Sequence, residues 1–447
     1  MRKLVPLALS LCAFSSFAQN PAISSWLINN TNIMGRHYVN GNSTPINDAV
    51  LANVQTVQYS ANWVYVSTKG IPAYVTGPFL DGNPSQATNQ NAIFKFPLNP
   101  TPNTGTPTTT TLGNIGVFKN GVALFDYRDG VSYKSSTGQN AGGPLGGMGD
   151  GVWNRDAVVA ERIGFDCSKG HPAMGNYHHH QNPSAFNLDL VVISNVCNLY
   201  LSDGLYVINP NEHSPLIGFA YDGYPIYGAY GYANADGSGG ITRMKSSYAL
   251  RNITVRTHYA DGSNVTDGPA VSTTFPLGMY REDYQYNPTS AATPDYLDEH
   301  NGRFCVTPEY PQGTYAYFAT VDANHNSAYP YVVAPTFYGV KTAAKVTSIT
   351  EPTTIFLASQ SFTFDKLQFK VYPNPAAELI AIQASEMISH NLTADLIDAQ
   401  GRLVESKTFV QGTTICYFET DTVYNGVYFL KISDGKNTQT FKVVIDK

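Results

Sequence analysis

Gly170-His171-Pro172-Ala173-Met174-Gly175-Asn176-Tyr177-His178-His179-His180 places four imidazoles within eleven residues of a 447-residue chain that has ten histidines in all. Imidazole is a general base near neutral pH and a ligand for borderline transition metals. In an extended segment successive side chains point to opposite faces, so His178 and His180 share one face while Tyr177 and His179 share the other. Cα atoms two strand residues apart are roughly 6.6 Å apart, which lets two rings converge on one ion at bonds of about 2 Å. His171 can fold back through the Pro-Ala-Met-Gly turn as a third ligand. The competing reading is an aromatic-rich core whose histidines only make hydrogen bonds.

Other residues of the right type lie further along. Glu212-His213 precedes Ser214-Pro215, and Asp222 opens an Asp-Gly pair, where it can be a ligand, an orienter of an imidazole or a turn residue. The expected metal set is therefore His178 and His180, then His171 and His213, with Asp222 as ligand or orienter. Imidazoles with Met174 nearby suit copper or zinc rather than calcium or magnesium. Asp298-Glu299-His300 reads as a ligand or base group or as a solvated turn. Asp322-Ala323-Asn324-His325-Asn326 spaces oxygen ligands as a calcium loop does but lacks the Gly and distal Glu of an EF-hand. Gly-x-Ser-x-Gly, His-Glu-x-x-His and phosphate-loop motifs are all missing, so no catalytic residue is assigned and enzymatic activity stays open.

The elements that must position these groups are strands. Tyr numbers 30 and Gly 38, charged residues are only 13%, and long Glu/Lys/Leu/Ala runs are lacking, which indicates a mainly β chain rich in turns. Ile115–Phe118 and Val122–Phe125 flank Lys119-Asn120-Gly121 as a hairpin. Further strands are expected at Leu188–Ile193, Leu216–Ala220, Ile253–His258 and Tyr315–Val321, and a short helix over Val152–Ile163. Between Gly142 and Gly151 six of ten residues are glycine, an irregular loop. The central part is expected to be sandwich-like with long loops.

Arg2-Lys3, an apolar run from Leu4 to Phe14 and Ser16-Phe17-Ala18 describe a secretory signal peptide at 1–18. No later segment is apolar for long enough to span a membrane. The net charge of −6 argues against a nucleic-acid surface. Export permits disulfides. Of five cysteines, Cys12 falls within the signal peptide and Cys416 in a C-terminal module, so Cys167 and Cys197, which flank the His cluster, are the expected pair, with Cys305 left over.

From 93 to 340 the chain resembles the YHYH-domain family, named for a Tyr-His-Tyr-His motif. The motif stands here as Tyr177-His178-His179-His180, departing from the name at His179. It is followed by His213-Ser214-Pro215 through Tyr221-Asp222-Gly223-Tyr224-Pro225-Ile226-Tyr227-Gly228, by Leu297–Phe304 and Thr314–Phe318, and by Tyr329-Pro330-Tyr331. This resemblance implies a shared fold and no particular chemistry. Residues 19–92 form a β-rich segment on or before that domain, and 341–366 a linker or edge strand.

The C-terminal 367–447 alternate apolar and polar residues, as a small immunoglobulin-like β-sandwich does. Val371-Tyr372-Pro373-Asn374-Pro375, Asp398-Ala399-Gln400-Gly401 and Gly426-Val427-Tyr428-Phe429-Leu430-Lys431 resemble the sorting domain of type IX secretion cargo in the Bacteroidetes. That resemblance implies the type IX machinery as partner, passage through the periplasm, removal of the module, and release or anchoring at the outer surface. Three functional readings follow: a secreted protein binding a transition metal through its His cluster; a metal-free extracellular enzyme using His/carboxylate acid-base chemistry, for example on polysaccharide; and a surface adhesion or carbohydrate-binding module.

Overall fold

β-Branched and aromatic residues punctuated by Asn-Gly and Asp-Gly turns build a mainly β molecule, and its two described α-helices are single turns. The computed structural model describes residues 20–447 apart from 82–84, 185–196, 198–199, 201–203, 289–292, 357–366, 386, 389–390 and 436. The signal peptide expected at 1–18 and the strand expected at Leu188–Ile193 lie outside the described residues.

Two sheets share one core in the body. The smaller runs in the order Ala344–Val346, Ala92–Pro97, Trp63–Thr68, Val54–Tyr59, Thr354–Ile355, antiparallel throughout. Both of its edges therefore come from the stretch read as linker or edge strand. Phe94 and Phe96 of this sheet meet Tyr221 and Phe219 of the larger one, with Trp26 between Phe96 and Phe219. These contacts are tilted, and Phe96 also meets Tyr221 edge-on at 6.1 Å, a geometry that adds to area burial.

The larger sheet has eight strands: β1 Asn114–Phe118, β2 Ala123–Phe125, β3 Gly170–Ala173, β4 Asn176–His179, β5 Leu216–Ala220, β6 Pro225–Tyr227, β7 Gly302–Cys305 and β8 Thr314–Phe318. Their order across the sheet is β3-β4-β2-β1-β5-β6-β8-β7. That order reads the same from either edge once β1–β4 are exchanged for β5–β8. The central pair is antiparallel, with Gly116↔Ala220, Val117↔Phe219 and Phe118↔Gly218, so a local two-fold passes through Val117 and Phe219.

The register repeats around that axis. Gly116↔Leu124 and Val117↔Ala123 in one half correspond to Gly218↔Ile226 and Phe219↔Pro225 in the other. The parallel contact His179↔Leu124 corresponds to Tyr317↔Ile226, and the hairpin pairs Gly170↔His179 and His171↔His178 to Gly302↔Tyr317 and Arg303↔Ala316. Even the turns match: Gly121 and Gly223 both take left-handed φ, +82° and +90°, where a side chain would be strained. Ile115-Gly116-x-x-x-Asn120-Gly121 and Ile217-Gly218-x-x-x-Asp222-Gly223 are the sequence trace of this repetition.

A carboxylate, buried in the first half and partly buried in the second, ties the hairpin of each half. Asp166 accepts from the backbone N–H groups of Ser168 (2.9 Å) and Gly170 (3.1 Å) and from the Tyr177 hydroxyl (2.9 Å). Asp298 accepts from His300 N–H (2.9 Å), Gly302 N–H (3.1 Å) and the Tyr315 hydroxyl (2.8 Å). Three hydrogen bonds to one carboxylate satisfy polar groups that burial would otherwise strand.

Two expectations are corrected. Val152–Ile163 does not form one helix: a strand at Asn154–Asp156 leads into the single turn Ala157–Ala160, capped by the Asp156 carboxylate on Val158 N–H (2.8 Å), and a 3-10 turn follows at Arg162–Gly164. Ile253–His258 is not a strand. Its Arg256 is 1% exposed and donates to both Asp283 oxygens and to the carbonyls of Pro269 and Pro276, so this segment wraps around a buried guanidinium instead of pairing.

The C-terminal module stands as expected. A three-stranded sheet (Phe369–Tyr372, Leu379–Ala384, Ile415–Glu419) and a four-stranded one (Leu403–Phe409, Leu392–Asp398, Gly426–Ser433, Thr438–Ile445) enclose a core of their own that includes Ile380, Ile382, Leu396, Phe418 and Leu430.

Candidate metal centre

The hairpin β3/β4 is antiparallel with His171 opposite His178. Met174 and Gly175, both at positive φ, turn the chain between them, so His171 does fold back through Pro-Ala-Met-Gly. Met174 stands at the tip, 98% exposed, and contributes nothing to the cluster below. Alternation puts His178 and His180 on one face, where His171 joins them. Their Nε2 atoms converge, 3.1 Å for His178–His180 and 3.3 Å for His171–His180, and one nitrogen from each ring lies within 4.8 Å of the others. All three rings are buried, at 5%, 1% and 4% exposure for His171, His178 and His180.

The outer nitrogens decide what the inner ones can do. His178 Nδ1 lies 2.8 Å from the Asn176 carbonyl and His180 Nδ1 2.6 Å from the Asp126 carbonyl. A carbonyl only accepts, so Nδ1 carries a proton in both rings; while a ring is neutral its Nε2 is a bare lone pair aimed into the cluster, and a proton gained by His180 at Nε2 is shared with Glu161. Two such lone pairs 3.1 Å apart repel unless a proton or a cation sits between them. Phe125 stacks on the His178 ring at 3.8 Å and 19°, and Phe165 meets His171 edge-on, which fixes both rings.

Glu161 completes the group. It follows the turn Ala157–Ala160, and its Oε2 lies 3.3 Å from His171 Nε2 and 3.4 Å from His180 Nε2. With 21% of its side chain exposed, it is the member nearest solvent. Burial alone would raise the Glu161 carboxyl, but the hydrogen bonds and charges of His171 and His180 prevail and hold it well below the usual carboxylate range. Burial and the neighbouring His180 and His171 push His178 well below the ordinary imidazole value. Burial lowers His180 too, yet Glu161 outweighs it and raises that ring. The cluster thus combines a ring that resists protonation, a ring that Glu161 favours protonated and a carboxylate that remains ionised, a set that either a proton on His180 or a cation in its place can neutralise.

Tyr177 and His179 occupy the opposite face. His179 Nε2 meets the Tyr74 hydroxyl at 2.7 Å and its Nδ1 the Lys169 carbonyl at 3.1 Å, and burial drives its pKa down to about 3. His213 is not brought to the cluster. It belongs to the other half of the sheet, its ring against Tyr227, Tyr232 and Phe318 and its Nδ1 on the Ser214 carbonyl. Asp222 also lies in that half, buried and accepting from the Tyr317 hydroxyl (2.6 Å) and the N–H groups of Gly339 (2.8 Å) and Tyr224 (3.2 Å), as a turn residue and anchor.

Asp298 anchors Tyr315, and His300 Nδ1 bonds to Thr336, so that trio is a loop. The Asp322 carboxylate is closed on Asn324 and Asn326. Cys167 and Cys197 lie together as buried thiols, joined by a side-chain hydrogen bond that, with burial, raises Cys167.

Glu161 carried no signal of its own in the sequence. Its place depends on where a one-turn helix, started by the Asp156 cap, comes to rest on the sheet.

Two family models match the chain: residues 93–330 match the one described as YHYH protein, and residues 370–446 the secretion system C-terminal sorting domain. The sorting domain implies interaction with the type IX secretion machinery and export to the cell surface or the extracellular space. No helix among the described residues is long and apolar enough to cross a membrane. No curated protein matches the chain.

Proposed function

The chain belongs to the YHYH protein family, and from that premise we propose that it is an exported metalloprotein that holds one transition metal ion through Nε2 of His171, His178 and His180. Zinc or copper suits three imidazoles. The observation that carries the reading is the pair of Nδ1–carbonyl bonds, which turn the Nε2 lone pairs of His178 and His180 on each other where only a cation or a shared proton relieves them. Three protein nitrogens leave a fourth position, and Glu161 is the group beside it. It would serve there as a further oxygen ligand or as a base beside the ion.

Elemental analysis of the purified protein tests this. One zinc or copper per chain is expected, falling to background in the His178→Ala, His180→Ala double variant. A wild-type protein without metal after incubation with either ion, or a double variant that retains it, rejects the reading.

A further inference from the structure

A second feature shares no residue with the imidazole cluster. A cavity of about 350 Å³ is walled by Tyr248, Tyr259, Tyr284 and Tyr329, with Arg281 and Glu282 facing it and Arg128 at its side, the last already paired with Asp126 at 2.6 Å. The rings are held in place. Tyr284 and Tyr329 stack parallel at 3.9 Å and 4°, Tyr248 meets Tyr329 edge-on at 5.5 Å, and the Tyr248, Tyr259 and Tyr329 hydroxyls are engaged by Glu299 O, Val152 O and the Tyr127 hydroxyl.

The polar pair between these walls is only partly used. Arg281 Nε lies 3.3 Å from Glu282 Oε1, and no described residue accepts a hydrogen bond from its Nη groups. Glu282 accepts from Asn154 N–H (2.7 Å) and Nδ2 (2.9 Å), one bond to each oxygen, which leaves acceptor capacity on both. Ala260 and Gly151, both exposed, form the rim.

We propose that this cavity binds a neutral pyranose unit of a saccharide. Tyrosine faces receive the apolar C–H face of a sugar ring while its edge stays polar. A guanidinium with free donors beside a carboxylate with free acceptors matches two neighbouring hydroxyls, one accepting and one donating. An anionic ligand would face Glu282, a cationic one Arg281, and a purely apolar one would strand both groups without partners. The volume lies near the lower end of small-molecule sites, roughly 300 to 1,000 Å³, as one or two rings require. The pocket shares no residue with the imidazole cluster, so the proposal is independent of the metal reading.

The test is calorimetric titration of the full-chain protein with cellobiose, maltose, laminaribiose and N,N′-diacetylchitobiose, with glucuronate and phenol for comparison. Saturable binding of at least one neutral disaccharide is expected, weakened tenfold or more in Arg281→Gln and in Ala260→Trp, which fills the mouth from an exposed position without touching the core. Met174→Ala, at the exposed tip of the β3/β4 hairpin, should bind the sugar as the wild type does. Absence of binding across the four disaccharides, stronger binding of glucuronate or phenol, or unchanged affinity in Ala260→Trp would overturn the assignment.

Discussion

The two halves of the eight-stranded sheet are built to one plan and differ where it matters chemically. Both close a hairpin on a carboxylate, the buried Asp166 or the half-buried Asp298, hydrogen-bonded to a glycine N–H and a tyrosine hydroxyl. Both pair that hairpin with a parallel neighbour in the same register. At the three positions where one half carries His171, His178 and His180, the other carries Arg303, Ala316 and Phe318. There the Arg303 guanidinium bonds to the carbonyls of Tyr232, Ala233 and Pro294 and covers the Phe318 ring.

The same backbone is therefore made without imidazole. Burying three rings, with the Nε2 atoms of His178 and His180 turned on each other, costs solvation that the second half avoids. What the first half gains in exchange is a group of three imidazoles that could hold a metal ion, as proposed above.

The sharpest way to break this contrast is to remove ligands from one half. His171→Ala, His178→Ala and His180→Ala should each abolish stoichiometric metal, whereas Arg303→Ala should leave it at the wild-type level, as measured by elemental analysis. Glu161→Gln keeps the shape but removes the charge at the mouth, and should weaken metal binding about 10- to 100-fold in a competition titration. An unchanged affinity would confine Glu161 to a structural role.

The halves also differ just after the anchoring carboxylate, where Cys167 stands in one and Glu299 in the other. Export and the contact between Cys167 and Cys197 support a disulfide there, closing a loop of about 30 residues and contributing roughly 3 to 4 kcal/mol. Non-reducing peptide maps should show the linked pair, and Cys167→Ser should lower the unfolding free energy by about that amount. Two free thiols in the exported protein would exclude the bond.

In the second half, His213 is half-buried and its pKa pushed down to about 4 by desolvation. The unfolded chain then binds more protons than the folded one between pH 6.5 and 4, so this residue costs stability as pH falls through that window. His213→Phe removes the dependence. Relative to wild type the variant should gain up to about 3 kcal/mol on going from pH 7 to below pH 4, read from denaturant midpoints. A constant difference would mean that His213 is not held neutral.

His179 gives the smallest effect on metal. His179→Ala should keep full occupancy and lose only about 1 to 3 kcal/mol of stability, because Tyr74 is left without its partner. Loss of metal in this variant would show the two faces of β4 to be misassigned.

Much of this was legible in the sequence where the physics is local. Period-two alternation separates His178 and His180 from His179, the Asn120-Gly121 turn marks β1/β2, and Pro-Ala-Met-Gly returns His171 to its partners. The repetition around Gly116 and Gly218 was also written there, at a spacing too long for a hairpin pattern to reveal. What depended on tertiary packing was not legible. Glu161 reaches the cluster only because Asp156 starts a one-turn helix above it, and His213 and Asp222 share a motif with their neighbours yet fold into the opposite half. Ile253–His258 has strand composition, but Arg256 finds its partners in Asp283 and loop carbonyls instead of a ladder.

Anomalous diffraction at the zinc and copper edges, on crystals of the exported protein, tests the central claim most directly. A single peak about 2 Å from Nε2 of each of His171, His178 and His180, with Glu161 beside it, is the predicted result. Metal-soaked crystals with no peak between these three nitrogens, or with the peak at His213 or Asp222, would contradict it.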